Sequence, residues 1–232
     1  MSKKISTLNY IKDLFKYDDH RNFRKKLYEF TKKEKDLTYD YGCGYYYQSC
    51  ESINLSGLRS SKKRVLNYSI NEIIREKEVL DVGTNTGFLL FEIEKNYKSI
   101  TGIDYNSKLI NIANMVKDYL KLKNLSFVND DFQTYNFDKK FDTILSLANH
   151  STFDSGINSP NSYLSKCNNL LKIGGYFLIE GHHPSYEKIS DFSSMIENFV
   201  KKNNYEIKKN SFLKTNFFYD DGRKFYLLKK NK

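Results

Sequence analysis

Several short stretches of this 232-residue chain carry side chains whose types and spacing suit chemistry. Residues 79–89 read VLDVGTNTGFL: an apolar run stops at Asp81, meets glycines at 83 and 87, and turns apolar again. Gly83 and Gly87 let the backbone pass close to a ligand with no Cβ in the way. A helix expected to start near Thr86 offers N–H groups to an anionic group. The next apolar run, SITGID, ends in Asp104, placed to accept both hydroxyls of a ribose. A third, LSFVN, runs into Asp130-Asp131-Phe132, where Asp131 can accept an exocyclic amine and Phe132 can flank the ring that carries it. The three ends together describe a site for an adenosine with an anionic tail.

Histidine supplies the second signal. His150 follows FDTILSLAN, and His182 and His183 follow YFLIEG, so three of the four histidines sit just past expected strand ends. Imidazole titrates near neutral pH and suits removal of a proton from a hydroxyl. His150 is the first candidate for a general base and His182 the second, accompanied by Asn149 and Glu180. His20 belongs to the amino-terminal part. The spacing of these groups pairs none of them as metal ligands, and no metal is expected.

The elements that must hold these residues follow from apolar periodicity. Residues 8–36 read as helix, 40–60 as irregular and rich in glycine and tyrosine, and 61–75 as helix with Val65, Leu66, Ile70, Ile73 and Ile74 on its apolar face. From residue 77 strands and helices alternate: strand EVLDV, helix TGFLLFEIEKN, strand SITGID, a helix over 107–121, strands LSFVN and FDTILSL, a helix ending LLKIGG, strand YFLIEG, a helix over about 186–202, and a closing hairpin with its turn at residues 220–222. Such alternation implies a mostly parallel sheet covered on both faces. The chain divides into a helical or lid segment, residues 1–60, and a sheet-and-helix domain, residues 61–232.

Composition narrows the setting. No run of about 18 apolar residues is present, so no membrane span is expected, and the basic start is not followed by the apolar stretch of a secretory signal. Cys43, Cys50 and Cys167 lack the spacing of a disulfide framework or a structural zinc site; a cytoplasmic protein is expected. The net charge of +10 divides into +4 over residues 1–40 and +7 over residues 201–232, leaving −1 between them. The excess therefore reads as solvated lysines rather than as a nucleic-acid groove.

In order along the chain, VLDVGTNTGF, GIDYN, NDDF, FDTILSLANH and LLKIGGYFLIE resemble the motifs of the class I S-adenosylmethionine-dependent methyltransferases, over about residues 60–230. The resemblance implies an α/β Rossmann-like fold, a seven-stranded sheet in the order 3-2-1-4-5-7-6 with strand 7 antiparallel. It implies S-adenosylmethionine as cofactor and S-adenosylhomocysteine as product. It carries Asp81, Gly83 and Gly87 to the methionine moiety, with Thr84, Asn85 and Phe88 beside them. Asp104 goes to the ribose with Tyr105 next to it, Asp131 to the adenine with Phe132, and Ser146 to the same side. The YYYQS segment at 45–49 resembles lids of this family, which brings in Tyr47, Gln48 and Arg59. One departure is visible: the family pattern E/D-x-G-x-G-x-G has Asn85 at its middle glycine. The expected acceptor is a hydroxyl of a small molecule such as a sugar or nucleotide-sugar. Transfer RNA is the alternative, a non-catalytic binding protein a third reading. A monomer or homodimer is expected.

Overall fold

The computed structural model describes residues 11–13, 15–33, 46–57, 59–147, 160–181, 189–213 and 223–231. The chain falls into two compact units. One comprises Met1–Glu72, Thr84–Lys95 and Asn106–Lys123, the other Ile73–Gly83, Asn96–Tyr105 and Asn124–Lys232.

The first unit holds helices α1 (Arg21–Lys33) and α2 (Ser61–Asn67), and the chain runs on into α3 (Ile70–Ile74); α4 (Phe88–Phe91) and α5 (Ser107–Tyr119) complete it. The single helix expected over 8–36 is broken ahead of α1. The buried Arg24 guanidinium draws in its acceptors: Asp18 Oδ1 at 2.7 Å, the Lys16 carbonyl at 3.0 Å and the Ile53 carbonyl at 3.1 Å. That bends residues 15–20 into a turn. The helix expected over 61–75 is two helices, because Ser69 stands at φ 52°, which no right-handed helix continues; Leu66 accordingly ends 63% exposed instead of on the apolar face. The helix expected from residue 86 is only four residues long. Beyond it Glu92 Oε1 accepts the Ser52 N–H at 2.8 Å, and Ser52 Oγ donates to the Phe91 carbonyl at 2.9 Å. Phe23 of α1 stacks on Tyr119 of α5 with centroids 3.9 Å apart, and His20 Nδ1 lies 3.0 Å from the Tyr119 hydroxyl, so His20 joins two helices.

The second unit is a seven-stranded sheet: β1 (Glu78–Val82), β2 (Ser99–Asp104), β3 (Leu125–Asn129), β4 (Phe141–Leu147), β5 (Leu171–Gly181), β6 (Tyr205–Leu213) and β7 (Arg223–Lys230), in the order β3-β2-β1-β4-β5-β7-β6. Strands β1 to β5 are parallel to one another, and β7 runs antiparallel to both β5 and β6. Val79, Leu80 and Val82 are fully buried, as continuous apolar runs in a parallel sheet require. One core joins Leu80, Val82, Ile103, Ile144, Phe177 and Ile179 to Tyr163 and Leu164 of α6 (Pro160–Leu170) and Phe192 and Ile196 of α7 (Ile189–Asn203). The sequence LKIGG, expected to close a helix, instead opens β5, with Leu171 in register with Phe141. A Cβ on Gly175 would lie 2.8 Å from the Asp142 carbonyl oxygen, so the glycine serves strand contact. No helix among the described residues is long and apolar enough to cross a membrane.

Candidate functional site

Register decides which side chains share a face. Val82 pairs with Ile103 and Ser146, and Ser146 with Ile179. Residues in register across parallel strands point the same way, and neighbours along a strand point oppositely. Asp81, Asp104 and Glu180 therefore lie on one face of the sheet. Ser146 lies on the other, in the core, where it accepts the Tyr163 hydroxyl at 2.7 Å. The structure thus brings Asp81 and Asp104 together by face and sets Ser146 apart.

Around Asp104 the strand ends are tied by a residue the sequence reading passed over. Asn129 Nδ2 donates to the Asp104 carbonyl at 3.1 Å and to the Tyr105 carbonyl at 2.9 Å, fixing where β2 stops. Asp104 is half-buried, and the ring of Tyr105 stands 52% exposed beside it. Asp131 is exposed and opens a turn in which its Oδ1 accepts the Gln133 N–H at 2.8 Å. Phe132 is 4% exposed and packs on Tyr163, so it is part of the core. Two residues past Asp131, Gln133 Nε2 is buried with no protein partner. Burial pulls the Lys166 ammonium below its usual range, with Asp131 and Asp130 working against that, and the amine donates to the carbonyls of Gln133 and Tyr135 at 2.9 and 2.7 Å.

The glycine loop explains its own departure from pattern. Gly83, Asn85 and Gly87 stand at φ 69°, 56° and 69°, so every second residue is left-handed. Glycine adopts that region freely, and asparagine is one of the few other residues that tolerates it. Asn85 thus keeps the conformation of the middle glycine, and its Oδ1 accepts the Thr86 N–H at 2.8 Å. Alternating conformations of this kind turn consecutive N–H groups toward one concavity. Thr84 Oγ1 in the loop is buried with no protein partner. Buried polar atoms are normally paired, so Thr84 and, in the other unit, Gln133 each suit a ligand that brings its own hydrogen-bonding groups. Within the first unit, Phe88 packs under the Tyr46 ring with centroids 5.1 Å apart. Tyr47, Gln48 and Arg59 also meet there: Gln48 bridges Arg59, and the Arg59 guanidinium lies 5.5 Å from the Tyr47 ring centre.

Glu180 is not a solvent-facing acid. Its side chain is fully buried and accepts from Arg223 Nη1 of β7 at 2.5 Å, with Arg223 2% exposed. Arg223 escaped the sequence reading because its partner is 43 residues away and becomes a neighbour only when β7 lies against β5. A Cβ on Gly181 would lie 2.4 Å from the Phe192 ring, so the glycine ahead of the histidine pair lets α7 close on the strand end. Asn149, His150, His182 and His183 lie outside the described residues.

Comparison with known proteins decides the family. The methyltransferase domain family matches residues 74–226. The chain belongs to that family. Its sheet order is the one the motif resemblance implied, and the family is that of the class I S-adenosylmethionine-dependent methyltransferases. Among curated relatives, human EEF1A lysine methyltransferase 2 is 28% identical over 147 residues, covering 56% of this chain and 61% of that protein. The tRNA U34 carboxymethyltransferase of Nautilia profundicola is 40% identical over 79 residues, covering 32% of this chain and 25% of that protein. The chain thus spans less than two thirds of the length of either. Among solved structures, the N-methyltransferase NodS of Bradyrhizobium japonicum WM9 superposes with a TM-score of 0.60 at 11% identity, covering 74% of this chain and 94% of that one. The magnesium protoporphyrin IX methyltransferase of Synechocystis PCC 6803, with bound S-adenosylmethionine, gives 0.56 at 16% identity, covering 74% and 78%. These likenesses establish the fold.

Proposed function

We propose that the protein transfers a methyl group from S-adenosylmethionine to a hydroxyl of its acceptor. The observation that carries the reading is the order along the chain: a loop left-handed at residues 83, 85 and 87, then Asp104 ending β2, then Asp131 just past β3. Asp104 is the group for the ribose hydroxyls and Asp131 for the adenine amine. Asp81, Gly83, Thr84, Asn85 and Gly87 are the residues for the methionine moiety. The cofactor supplies a methyl already activated on a sulfonium. What remains for the chain is to hold the acceptor in line and take its proton. His150 is the proposed base and His182 its alternate, with Asn149 as companion; the proton passes from the acceptor oxygen to imidazole as that oxygen gains the methyl. Glu180, paired to Arg223, holds β5 and β7 together and takes no proton in this scheme.

A sugar or other small hydroxylated molecule is the acceptor that the histidine edge favours. RNA is the second reading, favoured by the +10 charge and by a relative named for a transfer RNA. The test is S-adenosylhomocysteine release by wild type and His150→Ala, offered nucleotide sugars, small hydroxylated metabolites or bulk transfer RNA. Turnover with a small-molecule pool that falls roughly a hundredfold or more in the variant supports the reading. Turnover on RNA alone replaces the acceptor, and no release from any pool argues against the activity.

A further inference from the structure

At the amino ends of β4 and β5, roughly 20 Å along the strands from Asp104's end of the sheet, lies a cleft of about 580 Å³. Its walls come from five places in the chain: Lys140 ahead of β4, Asn168 near the end of α6, Leu171–Ile173 opening β5, Lys202–Asn204 closing α7, and Lys230 ending β7. Four of the lining side chains are lysines and three are asparagines, and none is acidic.

The polar walls are held in place. Asn168 Oδ1 accepts the Tyr205 hydroxyl at 2.9 Å, and Asn203 Nδ2 donates to the Phe199 carbonyl at 2.9 Å. Lys230 Nζ donates to the carbonyls of Asn168 and Leu171 at 2.6 and 3.1 Å, which fixes one ammonium at the end of α6. Burial, together with the charge of Lys140, pushes the Lys230 ammonium below its usual range. Among the described residues carboxylates reach one lysine of the lining: Lys172 pairs with Glu78 at 2.8 Å and with Asp142 at 3.2 Å. Among the described residues Lys140, Lys202 and Lys230 pair with no carboxylate, and Lys140 and Lys202 are exposed. Folding has thus gathered like charges around a concavity of the size that holds small ligands, and three of the four meet no carboxylate among the described residues.

We propose that this cleft binds phosphate groups, as a site separate from the strand-end site. Ammonium groups take phosphate as point charges, and asparagine amides add donors that do not titrate. The phosphates come either from a small phosphorylated ligand or from the backbone of RNA, and the two sources give different salt dependence.

The test titrates the full chain with inorganic tripolyphosphate and, separately, with an oligouridylate, at about 0.05–0.2 M salt. Three proteins are compared: wild type, Lys140→Ala/Lys202→Ala, and a control with the same change in net charge on α2, Lys62→Ala/Lys63→Ala. Thermal melts confirm that all three fold. The cleft variant is expected to lose about tenfold or more in tripolyphosphate affinity, with the control near wild type. If RNA is the source, the slope of log affinity against log salt also falls by about 1.4 in the cleft variant. An unchanged RNA slope alongside lost tripolyphosphate affinity assigns a small ligand. Unaltered binding of both probes, no binding by wild type, or equal losses in the control overturns the proposal.

Discussion

The Glu180–Arg223 pair gives the sharpest test of how this sheet is held. Both side chains are essentially excluded from solvent, 0% and 2% exposed, and the contact is 2.5 Å. Glu180→Gln keeps the shape and removes the negative charge that faces the buried Arg223 guanidinium. Breaking a buried pair on one side costs about 3–5 kcal/mol. For a chain of this length each kcal/mol moves the melting midpoint about 2–4 °C, so the variant should melt roughly 6–20 °C lower. Glu180→Gln/Arg223→Met removes both charges and should recover most of that loss. The assay is thermal unfolding by circular dichroism, with initial rates of S-adenosylhomocysteine release measured below both transitions. Turnover per folded molecule should be close to wild type, because the pair acts as a strut. A melt within about 1–2 °C of wild type would refute the energetic argument. A melt unchanged while turnover collapses would return Glu180 to the chemistry.

Two further predictions concern single positions. Asn85→Gly should leave stability within about 0.5 kcal/mol of wild type, whereas Asn85→Val, with a branched Cβ at φ 56°, should cost about 1–2 kcal/mol and weaken S-adenosylhomocysteine binding; equal behaviour of the two by calorimetry would contradict the conformational account. Glu78 is held below the usual carboxylate range chiefly by its hydrogen bond from Lys172, with Lys139 and Lys98 assisting. The unfolded chain then takes up this proton first as pH falls, so the stabilisation is present above the unfolded pKa and is lost as pH drops through the lower folded value. The melting gap between wild type and Glu78→Gln should therefore hold from about pH 7 down to about pH 4.3 and narrow as the pH falls below that. A gap that widens in acid has the wrong sign.

What the sequence revealed and what it hid follow from the range of the interactions. Strands β1 and β4 were readable because a parallel strand buried on both faces is an apolar run, and acidic residues mark where β2 ends and where the chain leaves β3. The insertion of β7 between β5 and β6 was supplied by resemblance to a family; nothing local in RKFYLLKK dictates it. The side of the sheet taken by Ser146 was hidden for the same reason that β4 was obvious: FDTILSL is apolar on both faces, so alternation carries no contrast. The glycine pattern was recognisable as spacing, but the equivalence of Asn85 to glycine is a statement about φ and needed coordinates. Lys202 and Lys230 contribute to the excess read as solvated charge over 201–232; only folding sets them beside Lys140 and Lys172.

The placement of β7 has a consequence for how the protein is made. A ribosome delivers β5 first and β7 last, yet β7 must sit between β5 and β6, so neither of those strands can complete its pairing until residues 223–230 emerge. For the 43 residues that separate Glu180 from Arg223, the nascent chain carries a carboxylate destined for the interior whose Arg223 partner is not yet synthesised. At about 5–20 residues per second that interval is roughly 2–9 seconds. Throughout it the free edge of β5 is open to strands from other chains. The arrival of β7 then closes that edge and brings Arg223 to Glu180 in the same step.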